Sequence, residues 1–380
     1  MTRVGINCLI LREPYTGVAY SIFRMVEALA REDRDRSYCA LVPRTFSREF
    51  PQEVEVRKSI LVGGGSASAR VMYEQLVFPF TSHKLRADYF HFPAWVAPRM
   101  LKVPYVLTVH DVIPFLYPAF CRKATVKHFK SMMPGSVEKS RAVIVPSEAV
   151  KKELLNITRN CPEEKVHVVP FAPVHPPAQV RGHEAKKILE KKYYINFPFF
   201  LTVGNIEPRK NLPTLLKAFF AARARKGFPH KLVIIGRTSR GFKGVDDVLY
   251  THGMEEMVER PGYVDEVDLP LFYSCCTAFC FPSLAEGFGL PLLEALQEGA
   301  RCLLSDIPVF RELAGKAAQF LPAYDLTAWR EAIENAAEKG QGDAVARKMW
   351  HDQAAKFTWK KTAQGITEVY KNVEQELGLV

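Results

Sequence analysis

Two glutamates, Glu286 and Glu294, stand on either side of a glycine-rich turn in the second half of the chain. A carboxylate can accept hydrogen bonds from sugar hydroxyls, as an acidic residue does for the ribose in dinucleotide-binding folds. The turn follows an apolar run at 278–281 and contains Gly287 and Gly289. A strand that passes through such a turn into a helix leaves unpaired N–H groups at the positive end of the helix dipole, which attract anions. Two hydroxyl acceptors beside an anion site describe a nucleotide sugar, although either glutamate alone could simply complement the helix dipole.

Two adjacent cations, Arg209 and Lys210, follow another predicted strand, at 199–203. They lie in a short turn before a predicted helix that begins at Leu212 or Pro213. Arginine offers a rigid fork of donors and lysine offers a point charge, and a diphosphate can use both. A solvated pair of surface charges is the alternative interpretation.

The first half of the chain has two turns of the same kind. His110 and Asp111 come at the carboxyl end of a predicted strand at 105–109, where open α/β sheets bind ligands. Thr16 and Gly17 come just before a predicted helix, whose start could also face an anion. The alternatives are a local hydrogen bond for the His–Asp pair and an ordinary turn for the glycine.

Short apolar runs alternate with amphipathic stretches along the chain, which indicates an α/β protein with parallel, doubly wound sheets. A length of 380 residues suits two domains. We expect an N-terminal, acceptor-binding domain over 1–175, a linker over 176–196 that begins in a proline-rich stretch, a C-terminal, nucleotide-sugar-binding domain over 197–355, and a final helix within 356–380.

The charge is unevenly distributed between the two halves. Residues 1–180 contain 25 Lys and Arg against 16 Asp and Glu, a net +9, whereas residues 181–380 contain 27 against 25, a net +2. A basic half suggests an anionic partner. We prefer a lipid diphosphate on an anionic membrane to nucleic acid, because no nucleic-acid-binding motif is present. The predicted basic helix at 122–135 is the candidate contact, and a solvated basic surface is the simpler alternative.

The sequence also argues against several other classes of protein. No apolar stretch is long enough for a membrane span or a signal peptide, so we expect a cytoplasmic protein, with peripheral contact at the inner face of the cell membrane as one option. The eight cysteines include no CxxC pair and predict neither a zinc site nor a disulfide framework. The D-x-D sequence at Asp33-Arg34-Asp35 follows a predicted helix, where we expect it to be solvated.

The glutamate motif resembles a known family signature. Glu286-Gly-Phe-Gly-Leu-Pro, with Glu294 eight positions after the first glutamate, resembles the E-x7-E signature of the retaining glycosyltransferases of family 4. The segment Thr-Val-His110-Asp-Val-Ile-Pro resembles the family segment whose histidine reaches the donor sugar. The resemblance implies the GT-B fold, α/β with two Rossmann-like, doubly wound parallel-sheet domains facing a cleft, and a last helix that crosses back to the first domain.

The motifs and the resemblance together predict the site residues of a retaining transfer from a nucleotide diphosphate sugar. Glu286 would hold hydroxyls of the donor sugar, Glu294 the ribose diol, and His110 the sugar from the opposite domain. Arg209 and Lys210 would stabilise the departing diphosphate in place of a metal ion, so we expect metal-independent transfer without a cofactor. The other predicted donor-binding residues are Gly287, Phe288, Gly289, Leu290, Thr16, Gly17, Asn205, Asp111, Tyr263 and Val264.

The identity of the donor follows only from the resemblance. The segments at 207–211 and 110–114 look like those of bacterial mannosyltransferases of polysaccharide assembly, which implies GDP-mannose as donor and a glycan or lipid-diphosphate-linked acceptor. Asn205 stands where the family usually has an arginine, and Arg209 is the candidate replacement for that cation. Two rivals remain: a sugar-nucleotide epimerase or phosphorolytic enzyme with the same fold, and a non-catalytic partner that binds nucleotide sugars or membranes.

Overall fold

A computed structural model describes residues 1–13, 15–63, 67–158, 160–239, 242–262 and 264–379. The chain forms two compact units. Residues up to Val174, together with the chain from Thr358 onward, make the first, and His175–Phe357 makes the second. Each unit is an α/β structure built on one parallel sheet.

The first unit contains a seven-stranded sheet in the order β3-β2-β1-β4-β5-β6-β7. Its central strands are buried along their whole length, as expected for a parallel sheet covered on both faces. The strands are β1 Thr2–Asn7, β2 Arg36–Val42, β3 Val54–Lys58, β4 Tyr89–Phe92, β5 Tyr105–Thr108, β6 Ala142–Val145 and β7 Val166–Val168. The helices before the second unit are α1 Gly17–Glu32, α2 Ala67–Met72, α3 Phe78–Thr81, α4 Ile113–Leu116, α5 Lys123–Lys139 and α6 Glu148–Ile157.

The second unit contains a six-stranded sheet in the order β10-β9-β8-β11-β12-β13. Its strands are β8 Phe199–Val203, β9 Lys231–Ile235, β10 Val258–Glu259, β11 Ala278–Phe281, β12 Cys302–Ser305 and β13 Gln319–Leu321. Its helices are α7 Gly182–Tyr193, α8 Leu212–Lys226, α9 Gly244–His252, α10 Leu269–Cys275, α11 Leu290–Gln297, α12 Pro308–Ala314, α13 Leu326–Lys339 and α14 Ala344–Ala354. The predicted class, two doubly wound parallel sheets, is confirmed.

The predicted linker differs from the structure in its second half. The sequence predicts a connecting segment over 176–196, but helix α7 occupies most of its last fifteen residues and belongs to the second unit. Ala185 and Leu189 are buried one turn apart on this helix, and this apolar stripe packs it against helix α10. The proline-rich beginning of the segment and its last three residues, 194–196, lie outside helices and strands.

Helix α15, Trp359–Leu377, packs in the first unit against helix α1. Arg36 donates two hydrogen bonds of 2.6 Å to the carboxylate of Glu374, and the hydroxyl of Tyr89 donates a third, of 2.9 Å. Arg36 also pairs with Asp33 at 3.1 Å. The prediction that the Asp33-Arg34-Asp35 sequence is solvated is therefore wrong for Asp33, which is buried because it helps to neutralise a buried arginine.

The order of the strands brings particular turns together in each sheet. All strands are parallel, but the direction in which successive strands are added to the sheet reverses between the neighbours β8 and β11 in the second unit, and between β1 and β4 in the first. Ligands of open α/β sheets bind outside the carboxyl ends of the strands at such switch points. The turns after β8 and β11 therefore meet at one place. No helix among the described residues is long and apolar enough to cross a membrane.

Candidate active site

The turn after β8 places the two predicted cations. Gly204 takes a φ of 138°, which favours glycine, and a short 3₁₀ turn over Pro208–Lys210 follows. Asn211 adopts the left-handed conformation, which asparagine tolerates better than most residues, and helix α8 begins directly after it. The amide of Asn211 donates to the carbonyl of Ala323 at 2.7 Å. This anchor fixes the end of the turn.

Both cations contact the carboxylate of Glu286, which lies in the turn after β11. The Nζ atom of Lys210 is 2.5 Å from Oε1 of Glu286, and Nη1 of Arg209 is 2.7 Å from Oε2. Arg209 also donates to the carbonyl of Ala285 at 2.7 Å, while Lys210 lies 4.4 Å from the centre of the Phe281 ring. The three predicted residues thus form one largely buried cluster.

The electrostatics of the cluster keep Glu286 ionised. Burial favours the neutral acid, but the charges of Arg209 and Lys210 and the hydrogen bond from Lys210 outweigh it and lower the pKa of Glu286 to about 2. Burial lowers the pKa of Lys210, and Arg209 adds to this effect while Glu286 opposes it. Arg209 makes a second ion pair, with Glu207 at 2.7 Å. The sequence prediction treated cations and carboxylate separately, whereas burial makes them partners, because an unpaired charge is costly in the interior.

The rest of the predicted glycine loop leads into helix α11. Gly289 precedes this helix with a φ of 122°, and a Cβ atom there would lie 3.3 Å from the ring of Phe310. Both constraints require glycine. Phe288 is buried and packs edge-on against Phe357, whereas Gly287 and Leu290 are partly exposed. The loop next to Glu286 therefore has accessible backbone at Gly287, while the side chain of Phe288 packs in the interior.

Glu294 has partners of its own. Its Oε1 lies 2.7 Å from Nδ1 of His175, and its Oε2 accepts a hydrogen bond of 3.1 Å from Tyr273. The side chain of Gln297 also donates to the carbonyl of His175, at 3.1 Å. Sequence reasoning missed His175, because one histidine in a proline-rich stretch carries no periodic signal and its partner is 119 residues away.

His110 is held in a defined orientation within the first unit. Its Nε2 lies 2.7 Å from the carbonyl oxygen of Pro93, so Nε2 carries the proton and donates. Burial lowers the pKa of His110 to about 4, although the bond to Pro93 opposes the shift. The imidazole is therefore neutral at physiological pH, and its Nδ1 is an acceptor.

The other predicted residues occupy turns. Asp111 accepts a hydrogen bond of 3.0 Å from the N–H of Ile113, at the start of α4. Thr16 caps α1 by accepting from the N–H of Ala19 at 3.4 Å, and Gly17 is the first residue of that helix. Asn205 is exposed in the turn after β8, Val264 is partly buried before α10, and Tyr263 lies outside the described residues. Among the described residues, no group of three or more His, Cys, Asp or Glu side chains could hold a metal ion.

Solved structures share this architecture over almost the whole chain. The sucrose-phosphate synthase of Thermosynechococcus elongatus superimposes with a TM-score of 0.77 at 16% identity and covers 99% of this chain and 100% of its own. WaaG, a glycosyltransferase involved in lipopolysaccharide biosynthesis, gives a TM-score of 0.73 at 14% identity, over 96% and 99% of the two chains. The chain therefore has the GT-B fold.

Family models and a curated relative identify the family. The model for glycosyl transferases group 1 matches residues 186–357, and the model for glycosyltransferase family 4 matches residues 15–171. The O-antigen chain mannosyltransferase B of Escherichia coli is 26% identical over 294 residues, which are 75% of this chain and 74% of that protein. The chain belongs to glycosyltransferase family 4 and is an enzyme of that class.

Proposed function

We propose that the protein transfers mannose from GDP-mannose, with retention of configuration, to a hydroxyl of a glycan or of a glycan linked to a lipid diphosphate. The observation that carries this proposal is the buried cluster of Lys210, Arg209 and Glu286 at the switch point between β8 and β11. Two cations beside the start of helix α11 match a diphosphate, and the carboxylate matches sugar hydroxyls. The mannose assignment is supported by the relative from O-antigen synthesis.

Electrostatic stabilisation of the leaving group would supply most of the rate enhancement. As the bond between the sugar carbon and the phosphate oxygen breaks, negative charge grows on the diphosphate. Arg209, Lys210 and the N–H groups at the start of α11 are held in place before the reaction, so they do not have to reorganise during it. Glu286 would serve twice, because it fixes both cations and accepts hydrogen bonds from the sugar.

Retention would come from attack on the same face that the diphosphate leaves. In this step the acceptor oxygen bonds to the anomeric carbon, the carbon–phosphate oxygen bond breaks, and the acceptor proton moves to the departing phosphate oxygen. Nδ1 of His110 would accept a hydrogen bond from a hydroxyl of the sugar. Glu294, whose other hydrogen-bonding partners include His175, would accept hydrogen bonds from the ribose diol. Asn205, the backbone at Gly287–Leu290, the Thr16–Gly17 turn and the turn at Val264 would complete the donor site.

A donor panel tests the assignment of the sugar. We expect GDP-mannose to raise the melting temperature more than GDP-glucose, UDP-glucose or UDP-N-acetylglucosamine, because a bound ligand stabilises the folded state by mass action. NMR of the product should show the anomeric configuration of the donor, and EDTA should leave the rate unchanged. An altered donor sugar formed without acceptor would instead identify an epimerase, and binding without transfer to any lipid or glycan acceptor would identify a non-catalytic partner.

A surface of the first unit fits an anionic membrane that carries the acceptor. Sequence analysis assigned this contact to the basic helix α5, whose Met132 and Met133 turn out to be buried. Arg99 links α5 to the segment that contains Leu76, because its N–H donates to the side-chain oxygen of Gln75 and its guanidinium donates to the carbonyl of Ser131 in α5. We define the amphiphilic surface by Met72, Leu76, Phe80 and Met100, which are more than half exposed, and by the exposed Lys123, Lys127 and Lys130. Apolar anchors flanked by lysines are typical of membrane-surface binding.

Vesicle sedimentation tests the membrane contact. Serine at Met72, Leu76 and Phe80 should weaken binding to mixed phosphatidylcholine and phosphatidylglycerol vesicles about tenfold or more. A matched control replaces Tyr250, Val345 and Met349, exposed apolar residues of the second unit, and should bind like the parent. Equal binding by both triple variants, or a parent that binds no vesicles, would contradict the proposal.

A further inference from the structure

The turn after β4 contains a tryptophan in a rare backbone conformation. Trp95 has a φ of 61°, in the left-handed region that bulky residues seldom adopt. Its N–H donates to the carbonyl of Thr108 at 2.8 Å, and the N–H of Val96 donates to Ala94 at 2.7 Å. Such backbone strain persists only where the surroundings enforce it, and it concentrates at functional sites.

The indole of Trp95 lies against His110. The two ring centres are 4.9 Å apart with an interplanar angle of 57°, and the indole Nε1–H donates to the carbonyl of Asp111 at 3.0 Å. Phe129 packs edge-on against the indole at 5.6 Å. Phe171 lies 5.4 Å from the imidazole. The imidazole therefore has two aromatic neighbours besides its hydrogen bond.

The same short turn supplies both of the contacts that orient His110. Pro93 accepts the Nε2 proton at 2.7 Å, and Trp95, two residues later, places its ring on the imidazole. A residue with ordinary φ at position 95 would direct its side chain elsewhere, since the left-handed conformation changes the direction of the Cα–Cβ bond relative to the chain. Because of this strained backbone, one turn contacts the imidazole twice: the carbonyl of Pro93 binds Nε2, and the indole of Trp95 packs against the ring.

We propose that Trp95 is a positioning residue for glycosyl transfer, whose indole and turn hold His110 in the Nε2–H tautomer with Nδ1 presented to a hydroxyl of the donor sugar. This inference rests on the proposed function, because it assigns His110 a contact with the donor. It adds a residue that none of the sequence motifs includes. The indole itself touches no substrate in this proposal.

A double-mutant cycle tests the proposal. Trp95→Gly should lower kcat about tenfold to a hundredfold with little change in KM for the donor, because a misplaced contact costs rate even when the substrate still binds. Combined with His110→Gln, it should cost almost nothing further, since residues that act as a unit are not additive. Trp95→Phe, which keeps an aromatic ring, should recover part of the rate. Independent, additive losses would overturn the proposal.

Two further measurements separate positioning from folding and from the proposed function. Tyr194→Gly is the matched control, because Tyr194 is an exposed residue of the second unit with a φ of 59°; it relieves the same backbone conformation and should leave kcat unchanged. Long-range ¹H–¹⁵N spectra of the histidine side chains, assigned with His110→Gln, should show a mixture of tautomers in Trp95→Gly. An unchanged His110 signal overturns the proposal even if no donor is ever found to react, whereas a missing transferase activity with an altered signal contradicts only the proposed function.

Discussion

At the residue scale, the cluster of Lys210, Arg209 and Glu286 is the site proposed to bind the donor diphosphate. Each cation is held at 2.5–2.7 Å by the same carboxylate, and the Phe281 ring supports Lys210 from one side. The charges are therefore oriented before a donor arrives. Removing one of the two cations should affect the rate more than the fold, because the remaining cation still neutralises Glu286.

Lys210→Ala should lower kcat by about 10²- to 10³-fold, or about 2.7–4 kcal/mol, as the loss of one preorganised donor to a developing charge does in other enzymes. In the proposed mechanism this contact would strengthen as the diphosphate departs, so KM for the donor should change little. Lys217→Ala removes an exposed lysine of helix α8 and serves as the control. A Lys210→Ala enzyme with the parent's steady-state kcat would remove Lys210 from the mechanism.

Glu286→Gln should make the stability of the second unit less sensitive to acid. The pKa of Glu286 is depressed from 4.5 to about 2, so its ionised form stabilises the fold above pH 4.5, and this contribution disappears as the pH falls toward 2. The full contribution is about 3 kcal/mol. Urea unfolding of parent and variant between pH 5.5 and 3 should therefore converge with falling pH. A constant difference over that range would contradict the assigned pKa.

Glu294→Ala should raise KM for the donor about tenfold with a smaller change in kcat, because a contact with the ribose is made equally in the ground and transition states. Steady-state kinetics with varied donor measures both constants. The control is Glu312→Ala, which removes an exposed carboxylate of helix α12. A loss confined to kcat would place Glu294 at the reacting bond instead.

At the element scale, helix α15 shows how a distant segment completes a core. Its apolar stripe of Ile366, Val369, Tyr370 and Val373 is buried in the first unit. Tyr370 also hydrogen-bonds Nδ1 of His91 at 2.7 Å. The polar contacts of Glu374 with Arg36 and Tyr89 select one register for this helix, since sliding it would leave a buried arginine unpaired.

Glu374→Ala should destabilise the first unit by about 3–5 kcal/mol, because removing one partner of a buried ion pair leaves the other charge uncompensated. Denaturant unfolding followed by circular dichroism measures the effect. Glu368→Ala, at an exposed position of the same helix, should stay within about 0.5 kcal/mol of the parent. Equal stabilities of the two variants would show that the pair adds nothing to the fold.

At the scale of the whole molecule, the uneven charge distribution favours different partners for the two halves of the chain. The first half carries the excess of basic residues together with the amphiphilic surface, and the second unit carries the cluster proposed to bind the donor diphosphate. A net positive half attracts an anionic surface over roughly a Debye length, about 10 Å at 0.1 M salt. Association with a membrane would therefore depend on salt, whereas donor binding in the buried cluster would depend on it less.

Binding to anionic vesicles should weaken strongly when the salt concentration is raised from about 0.05 M to about 0.5 M. KM for the donor, measured with a water-soluble acceptor, should change little over the same range. Sedimentation at several salt concentrations measures the first quantity and steady-state kinetics the second. Glutamine at Lys123, Lys127 and Lys130 should flatten the salt dependence. Vesicle binding that is independent of salt would assign the contact to the apolar side chains alone.

The sequence by itself determined the class of fold and the three charged residues of the cluster. Apolar runs of strand length alternating with amphipathic helices permit little besides doubly wound parallel sheets, and the glycine turns with adjacent charges mark the strand ends. These are local signals, carried by a few consecutive residues, so they can be recognised without coordinates.

Only the tertiary structure decided which groups are partners. That Glu286 binds both cations follows from strands β8 and β11 being neighbours, although the residues are 76 positions apart. The burial of Asp33, the bond between His175 and Glu294, and the tryptophan held against His110 have the same origin. Hydrogen bonds and ion pairs act over about 3 Å in space, and distance along the chain says almost nothing about which groups will come that close.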